Sequence, residues 1–238
     1  KVAGMEPTAK VVYAASVGNW IMRHEPEIWA KTAKYVMLPT YLNYKLTGNL
    51  IDSASNQIGH IPFDYKNRRW MKPGSLTRCF CDVPNEKLCD LVPSGTVIGT
   101  ITGEVCALTG IPAGLPLIST GSDKGCETLG LAVVDSDKAS ISLGTTATIQ
   151  FSTTEYVEPQ QFLPAYPGVL NDHYNPEIEI YRGLWLLSWF VKEFGTADAI
   201  DAKEKGMAPE ALLDQRIRDL PAGSDGLLLQ PYWTAGIL

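Results

Sequence analysis

The stretch Leu117-Ile-Ser-Thr-Gly-Ser-Asp-Lys-Gly-Cys-Glu-Thr-Leu-Gly130 constrains this chain more than any other. An apolar strand starts at Leu117 and stops at Thr120-Gly121. A lone carboxylate, Asp123, then stands at the mouth of a helix expected over Lys124–Leu131. Further on, Ala139–Leu143 and Ala147–Phe151 are β-rich runs that bracket Gly144-Thr145-Thr146 as a hairpin. That turn offers small side chains, hydroxyls and backbone N–H groups, a cradle of phosphate size. One isolated acid and one amide-lined turn, each just past a strand end, are what phosphoryl transfer to a hydroxyl requires. Each motif alone is commonplace. By local sequence Asp123 reads first as a helix N-cap and Gly144–Thr146 as an ordinary turn.

The rest of the chain mixes helical and extended periods. Val11–Arg23 has helical spacing, Pro26–Ala33 suits a short helix with Pro in its first turn, and Tyr35–Leu46 is an apolar helix closed by Gly48. Asn49–Asp52 is extended. Asp52 with Ser53 and Ser55 reads as turn chemistry, and the basic run around Lys66, Arg68 and Arg69 as a solvated turn. Thr96–Thr102 alternates as a strand, Glu104–Thr109 is a helix ended by Gly110, and Ile111–Pro116 is a tight connection. Beyond a long loop over Glu155–Asn175, Glu177–Tyr181 alternates, Leu184–Phe194 is amphipathic, Pro209–Arg218 is helical and Gly226–Gln230 is an apolar strand. Trp185 and Trp189, four apart, read as core. The pattern is α/β.

The chain has 238 residues, with 45% hydrophobic and 19% charged, enough to bury a core. A net charge of −6 without a Lys/Arg cluster argues against nucleic acid, and no apolar run reaches the ~20 residues of a membrane span. Five cysteines, Cys79, Cys81, Cys89, Cys106 and Cys126, form no Cys-x-x-Cys pair and no evident set with the histidines. Free thiols in a cytoplasmic protein are the expectation.

The ordered set of motifs resembles the FGGY family of carbohydrate kinases. It runs from Trp20-Ile-Met-Arg-His-Glu-Pro26 through Leu46-Thr-Gly-Asn-Leu-Ile-Asp-Ser-Ala-Ser-Asn56, Trp70 and Gly99-Thr-Ile-Thr-Gly103. Thr109-Gly-Ile-Pro-Ala-Gly-Leu-Pro116, Gly121-Ser-Asp-Lys124, Ser142-Leu-Gly-Thr-Thr-Ala147, Tyr181-Arg-Gly183 and Gly226-Leu-Leu-Leu-Gln-Pro-Tyr232 continue it in order. The resemblance implies two actin-like, ribonuclease-H-like α/β domains flanking a cleft, both incomplete in this chain. Residues 1–133 would belong to the sugar-binding domain and 134–238 to the nucleotide-binding domain. It implies transfer of the γ-phosphoryl of ATP to a sugar or polyol hydroxyl with Mg²⁺. Asp123 would be the general base and the metal-facing carboxylate, Ser122 and Lys124 substrate contacts, and Gly144, Thr145, Thr146 and Gly183 the ATP contacts. Lys124 stands where the family commonly has Gln, and Val17-Gly18-Asn19 replaces its usual Lys before the Trp. The family's first phosphate turn would precede Lys1 and its adenine-side glycine motif would follow Leu238. The edges over Thr96–Ile101 and Gly226–Gln230 are therefore expected to be unpaired. Partners would be a small sugar or polyol and ATP, without nucleic acid or membrane, and a homodimer is compatible.

Two other readings stay open. Gly121-Ser-Asp-Lys-Gly125 has the spacing of a nucleophile elbow, which with His173 would suit an aspartate-nucleophile hydrolase. A non-catalytic sugar- or nucleotide-binding piece of an actin-like protein is the second.

Overall fold

The computed structural model describes residues 6–59, 61–75, 78, 80–144, 146–159, 163–180 and 183–229, with the backbone alone at 6–9. Two compact units result. The described part of the first falls in Lys1–Ser140 and Gln150–Glu177, and that of the second in Ile141–Ile149 and Ile178–Gly236.

In the first unit the helical period over 11–23 is broken in two. Helix α1 spans Glu6–Ala15 and α2 spans Val17–His24, because the Ser16 side chain accepts the Asn19 N–H and starts a new helix. Asn19 is buried and fully engaged: its amide donates to the carbonyls of Tyr13 and Phe80, and its oxygen accepts the Asp82 N–H. Gly18 lets that strip through, since a Cβ there would lie 2.9 Å from Val83. The unusual Val17-Gly18-Asn19 thus packs α2 onto the 80–83 segment. Helices α3 (Pro26–Lys31) and α4 (Leu38–Thr47) follow, and α4 ends on Gly48 at φ 81°, the left-handed residue expected there.

Strand β1 (Ile51–Ser53) pairs in parallel with β4 (Asp90–Val92), and the β2–β3 hairpin (Phe63–Asp64 with Arg69–Trp70) lies between them in sequence. Trp70 touches two small cores, one of Ala54, Ile61 and Phe63 and one of Cys81, Val83 and Leu88, and its indole donates to the Cys89 carbonyl at 2.8 Å. The turn between β2 and β3 is less solvated than its charge suggests. Arg68 lies over the Tyr174 ring at 4.3 Å and donates to the His173 carbonyl, tying the turn to the 153–175 loop.

Strand β5 (Val97–Thr100) is not the unpaired edge expected. It pairs antiparallel with β6 (Pro116–Ile118) across helix α5 (Gly103–Thr109), with a bulge between Val97 and Gly99. Helix α6 (Asp123–Gly130) follows β6 directly. The long loop carries a two-residue pairing of β9 (Tyr166–Pro167) with β10 (Tyr174–Asn175).

Most of a three-stranded sheet lies in the second unit, ordered β11 (Glu177–Ile180), β8 (Ala147–Phe151), β7 (Ala139–Leu143), so the strands bracketing residues 144–146 are neighbours as expected. Helices α7 (Leu186–Phe194), α8 (Thr196–Glu204) and α9 (Pro209–Ile217) complete it. Helix α8 was not evident in the sequence, having little apolar contrast between its faces. Arg216 of α9 forms ion pairs with Asp198 and Asp201 of α8. The strand expected at 226–230 is not found. Residues 224–226 form a single 3-10 turn, and Leu227–Leu229 run on exposed without a ladder, with Gln230 outside the described residues. Apolar composition alone does not make a strand; it needs a partner's hydrogen bonds. Among the described residues no helix is long and apolar enough to cross a membrane.

Candidate active site

Ser122, Asp123 and Lys124 stand together at the start of α6, and the structure corrects one role. The helix is capped by Ser122, whose hydroxyl accepts the Gly125 N–H at 3.2 Å, so Asp123 is the first helical residue rather than the cap. Ser122 is 7% exposed. Asp123 is exposed, and among the described residues its carboxylate is bonded to the Lys124 N–H, at 2.8 Å. It stands in a first helical turn, which favours negative charge. Lys124 reaches Glu127 at 3.2 Å.

Just before α6 the chain is packed between the Val169 side chain and Ser55. A Cβ on Gly121 would fall 2.7 Å from the Val169 side chain and 3.4 Å from Ser55, and the Ser122 N–H donates to the Ser55 carbonyl at 3.1 Å. The elbow's other requirement, His173, has its ring Nδ1 at 2.7 Å from Asp172.

Asp52 turns out to be more than local turn chemistry. It is 3% exposed and accepts from the Ser53 N–H, Thr40 (2.6 Å), Asn43, Asn56 and Gln57 (3.2 Å). Neutral donors satisfy it, which holds β1, α4 and the following 3-10 turn together. The buried Cys89 thiol is pushed up to about 11 from 9.0, by burial first and then by the Asp52 charge. The folded state therefore keeps this thiol protonated, a contribution complete below about pH 9 and lost as pH rises to about 11. Cys89→Ala should flatten the fall in urea-measured stability across that window by up to about 2 kcal/mol. An unchanged slope in the variant would remove Cys89 as its source. Cys81, Cys89, Cys106 and Cys126 are free thiols as expected, and Cys79 lies outside the described residues.

In the second unit the structure brings Gly144, Thr146 and Gly183 together; Thr145 lies outside the described residues. The Gly144 N–H donates to the Thr146 carbonyl at 3.0 Å, and the Leu184 N–H to the Gly144 carbonyl at 2.9 Å. Gly183 is pressed onto this turn: a Cβ there would lie 2.4 Å from the Thr146 carbonyl carbon and 2.5 Å from the Gly144 oxygen. Gly183 also borders an apolar hollow of about 460 Å³, walled by Leu184, Leu187, Trp189, Phe190 and Phe194. Trp185, expected in the core, is 39% exposed just before α7.

The sequence profile of the FGGY family of carbohydrate kinases, N-terminal domain, matches residues 6–130, more than half of the chain. The chain belongs to the FGGY family of carbohydrate kinases. It is 32% identical over 194 residues to the uncharacterized sugar kinase YgcE of Escherichia coli K12, covering 81% of this chain and 39% of that protein. An autoinducer-2 kinase of Klebsiella pneumoniae is 28% identical over 88% of this chain and 39% of its own length. The chain thus spans about two fifths of the length of the curated relatives it matches. The crystal structure of a xylulose kinase from Rhodospirillum rubrum superposes with a TM-score of 0.74 at 24% identity, over 95% of this chain and 43% of that one. This likeness shows the fold, the actin-like, ribonuclease-H-like α/β architecture of FGGY kinases.

Two features of the site were not evident in the sequence. The Val169 contact behind Gly121 comes from a loop with no motif, and the Ser53–Ser94–Ser55 cluster joins segments far apart in the chain. The Ser-rich run after Asp52 was the one local signal of it.

Proposed function

We propose that this chain contributes the acid-bearing and phosphate-holding segments of an ATP-dependent sugar or polyol kinase, with residues 1–133 from its sugar-binding domain and 134–238 from its nucleotide-binding domain. The observation that carries the proposal is the state of Asp123. Helix capping is done by Ser122, so Asp123 is left exposed at a strand-to-helix junction with acceptor capacity for a substrate hydroxyl. Family membership over residues 6–130 favours transfer over the elbow reading.

Asp123 accepts the proton of the attacking hydroxyl as the new O–P bond forms and the bond from the γ-phosphorus to its bridging oxygen breaks, ADP leaving with that oxygen. This needs an ionised carboxylate within hydrogen-bond reach. Ser122 and Lys124 flank it on the sugar side. Gly144, Thr145 and Thr146 line the terminal phosphates, and Gly183 keeps their turn in shape by leaving the space its missing Cβ would fill. These residues suit a nucleotide: small, in a turn between two strands, with threonine hydroxyls to offer phosphate oxygens. Among the described residues no group of three His, Cys, Asp or Glu is placed to cage a metal. That fits Mg²⁺, which is held by one or two carboxylates together with substrate phosphates, and Asp123 is the carboxylate we assign to it. When bound, Mg²⁺ neutralises phosphate charge. Positioning and charge neutralisation supply most of the rate in such a reaction.

The intact protein, given ATP with Mg²⁺ and a panel of D-xylulose, other pentoses, hexoses and polyols, should release ADP only when ATP and one acceptor are both present. Phosphate release from a phosphate ester without ATP would instead support the hydrolase. No turnover with any acceptor, at an ATP affinity in the millimolar range or better, would support the binding-only reading.

A further inference from the structure

Three strand ends of the first unit meet at one buried hydroxyl. Ser53 closes β1, Ser94 lies two residues beyond β4, and Thr120 lies two residues beyond β6. Ser94 Oγ is 3.0 Å from Ser53 Oγ, 3.0 Å from Ser55 Oγ and 3.0 Å from the Thr120 carbonyl oxygen. Ser53, Ser55 and Ser94 are 0%, 4% and 8% exposed, so water does not replace these bonds.

Counting protons gives the cluster a direction. Each hydroxyl has one proton, and a carbonyl only accepts. Ser55 gives its proton to the Gly168 carbonyl at 2.6 Å. Ser94 directs its own to the Thr120 carbonyl, with the Ser55 oxygen as a second acceptor, and Ser53 donates to Ser94. Ser53 also accepts the Ser55 N–H at 3.0 Å. The run Ser53–Ser94–Thr120 is thus a donor chain ending on the peptide three residues before Asp123. The next tie, the Ser122 N–H on the Ser55 carbonyl, comes from the same cluster.

Asp123 itself has no side-chain partner among the described residues that would set its aim. Its direction is therefore inherited from the backbone on either side, residues 120–122 and the Lys124 N–H. We infer that Ser94 is a positioning residue for Asp123: its hydroxyl fixes the Thr120 carbonyl, and through it the orientation in which the carboxylate meets the acceptor hydroxyl. This rests on the reading of Asp123 as the base.

The test is a double-mutant cycle in the intact protein, with the acceptor that the panel above identifies. Ser94→Ala should lower kcat about tenfold while both KM values stay within about twofold, since misplacing a reacting group slows chemistry without removing binding contacts. In the Asp123→Asn background the same change should cost less than about twofold, because there is no base left to aim. Ser94→Cys, which keeps a weak donor, should fall between Ser and Ala. Thr102→Ala, which removes the α5 cap elsewhere in the unit, should lower the melting temperature similarly and leave kcat unchanged. Without any substrate, amide exchange over 119–125 should quicken at least about tenfold in Ser94→Ala relative to α5. If Asp123→Asn slows turnover but Ser94→Ala does not, or costs the same factor in both backgrounds, the positioning role is overturned and the base reading stands. If Asp123→Asn leaves turnover unchanged, both fall.

Discussion

Asp123→Asn is expected to lower kcat by ~10²–10⁴ while the KM values for sugar and ATP stay within several-fold. The amide keeps the shape and the bond to the Lys124 N–H but cannot take up a proton. Helix α6 should keep its cap, which Ser122 provides, and lose only the small favourable term of a negative charge in its first turn. A melting temperature within a degree or two of the parent would show that the loss is chemical. The change also removes the charge we assign to the Mg²⁺ side, so the Mg²⁺ concentration for half-maximal rate should rise. Turnover close to the parent's would remove Asp123 from the mechanism.

Gly183→Ala should have the second largest effect, by a steric route. The added Cβ would meet backbone at 2.4–2.6 Å, at the Thr146 carbonyl carbon, the Gly144 oxygen and the Ala147 nitrogen, and none of these is a flexible side-chain end. Either the 144–146 turn shifts or the Leu184 N–H bond to Gly144 is lost. We expect a stability loss of about 1–3 kcal/mol, the range for forced overpacking. The KM for ATP should rise by at least about tenfold while the KM for sugar barely changes. Gly130→Ala is the matched control, because a Cβ there meets nothing within 4 Å. A variant at Gly183 with parental melting and parental ATP affinity would show that the turn does not hold phosphate.

Features that obey local rules were legible in the sequence. Gly48 ends α4 because a left-handed residue is needed there, and the break at Thr120-Gly121 puts an acid at a strand end whatever surrounds it. The small-residue turn at 144–146 follows from two β-rich runs three residues apart. Choices between equivalent neighbours were settled only by packing. Ser122 and Asp123 are both good caps, and the helix axis picks the former, freeing the latter. Two aspartates beside serines near strand ends look alike in sequence, yet Asp52 is enclosed by Thr40, Asn43, Asn56 and Gln57 while Asp123 is exposed. Leu227–Leu229 have strand composition but no ladder, since pairing is a property of two segments. The Ser53–Ser94–Thr120 chain joins residues 26 and 41 positions apart. A hydroxyl proton can be assigned only when every acceptor around it is in place, and that arrangement exists only once the three strand ends have come together.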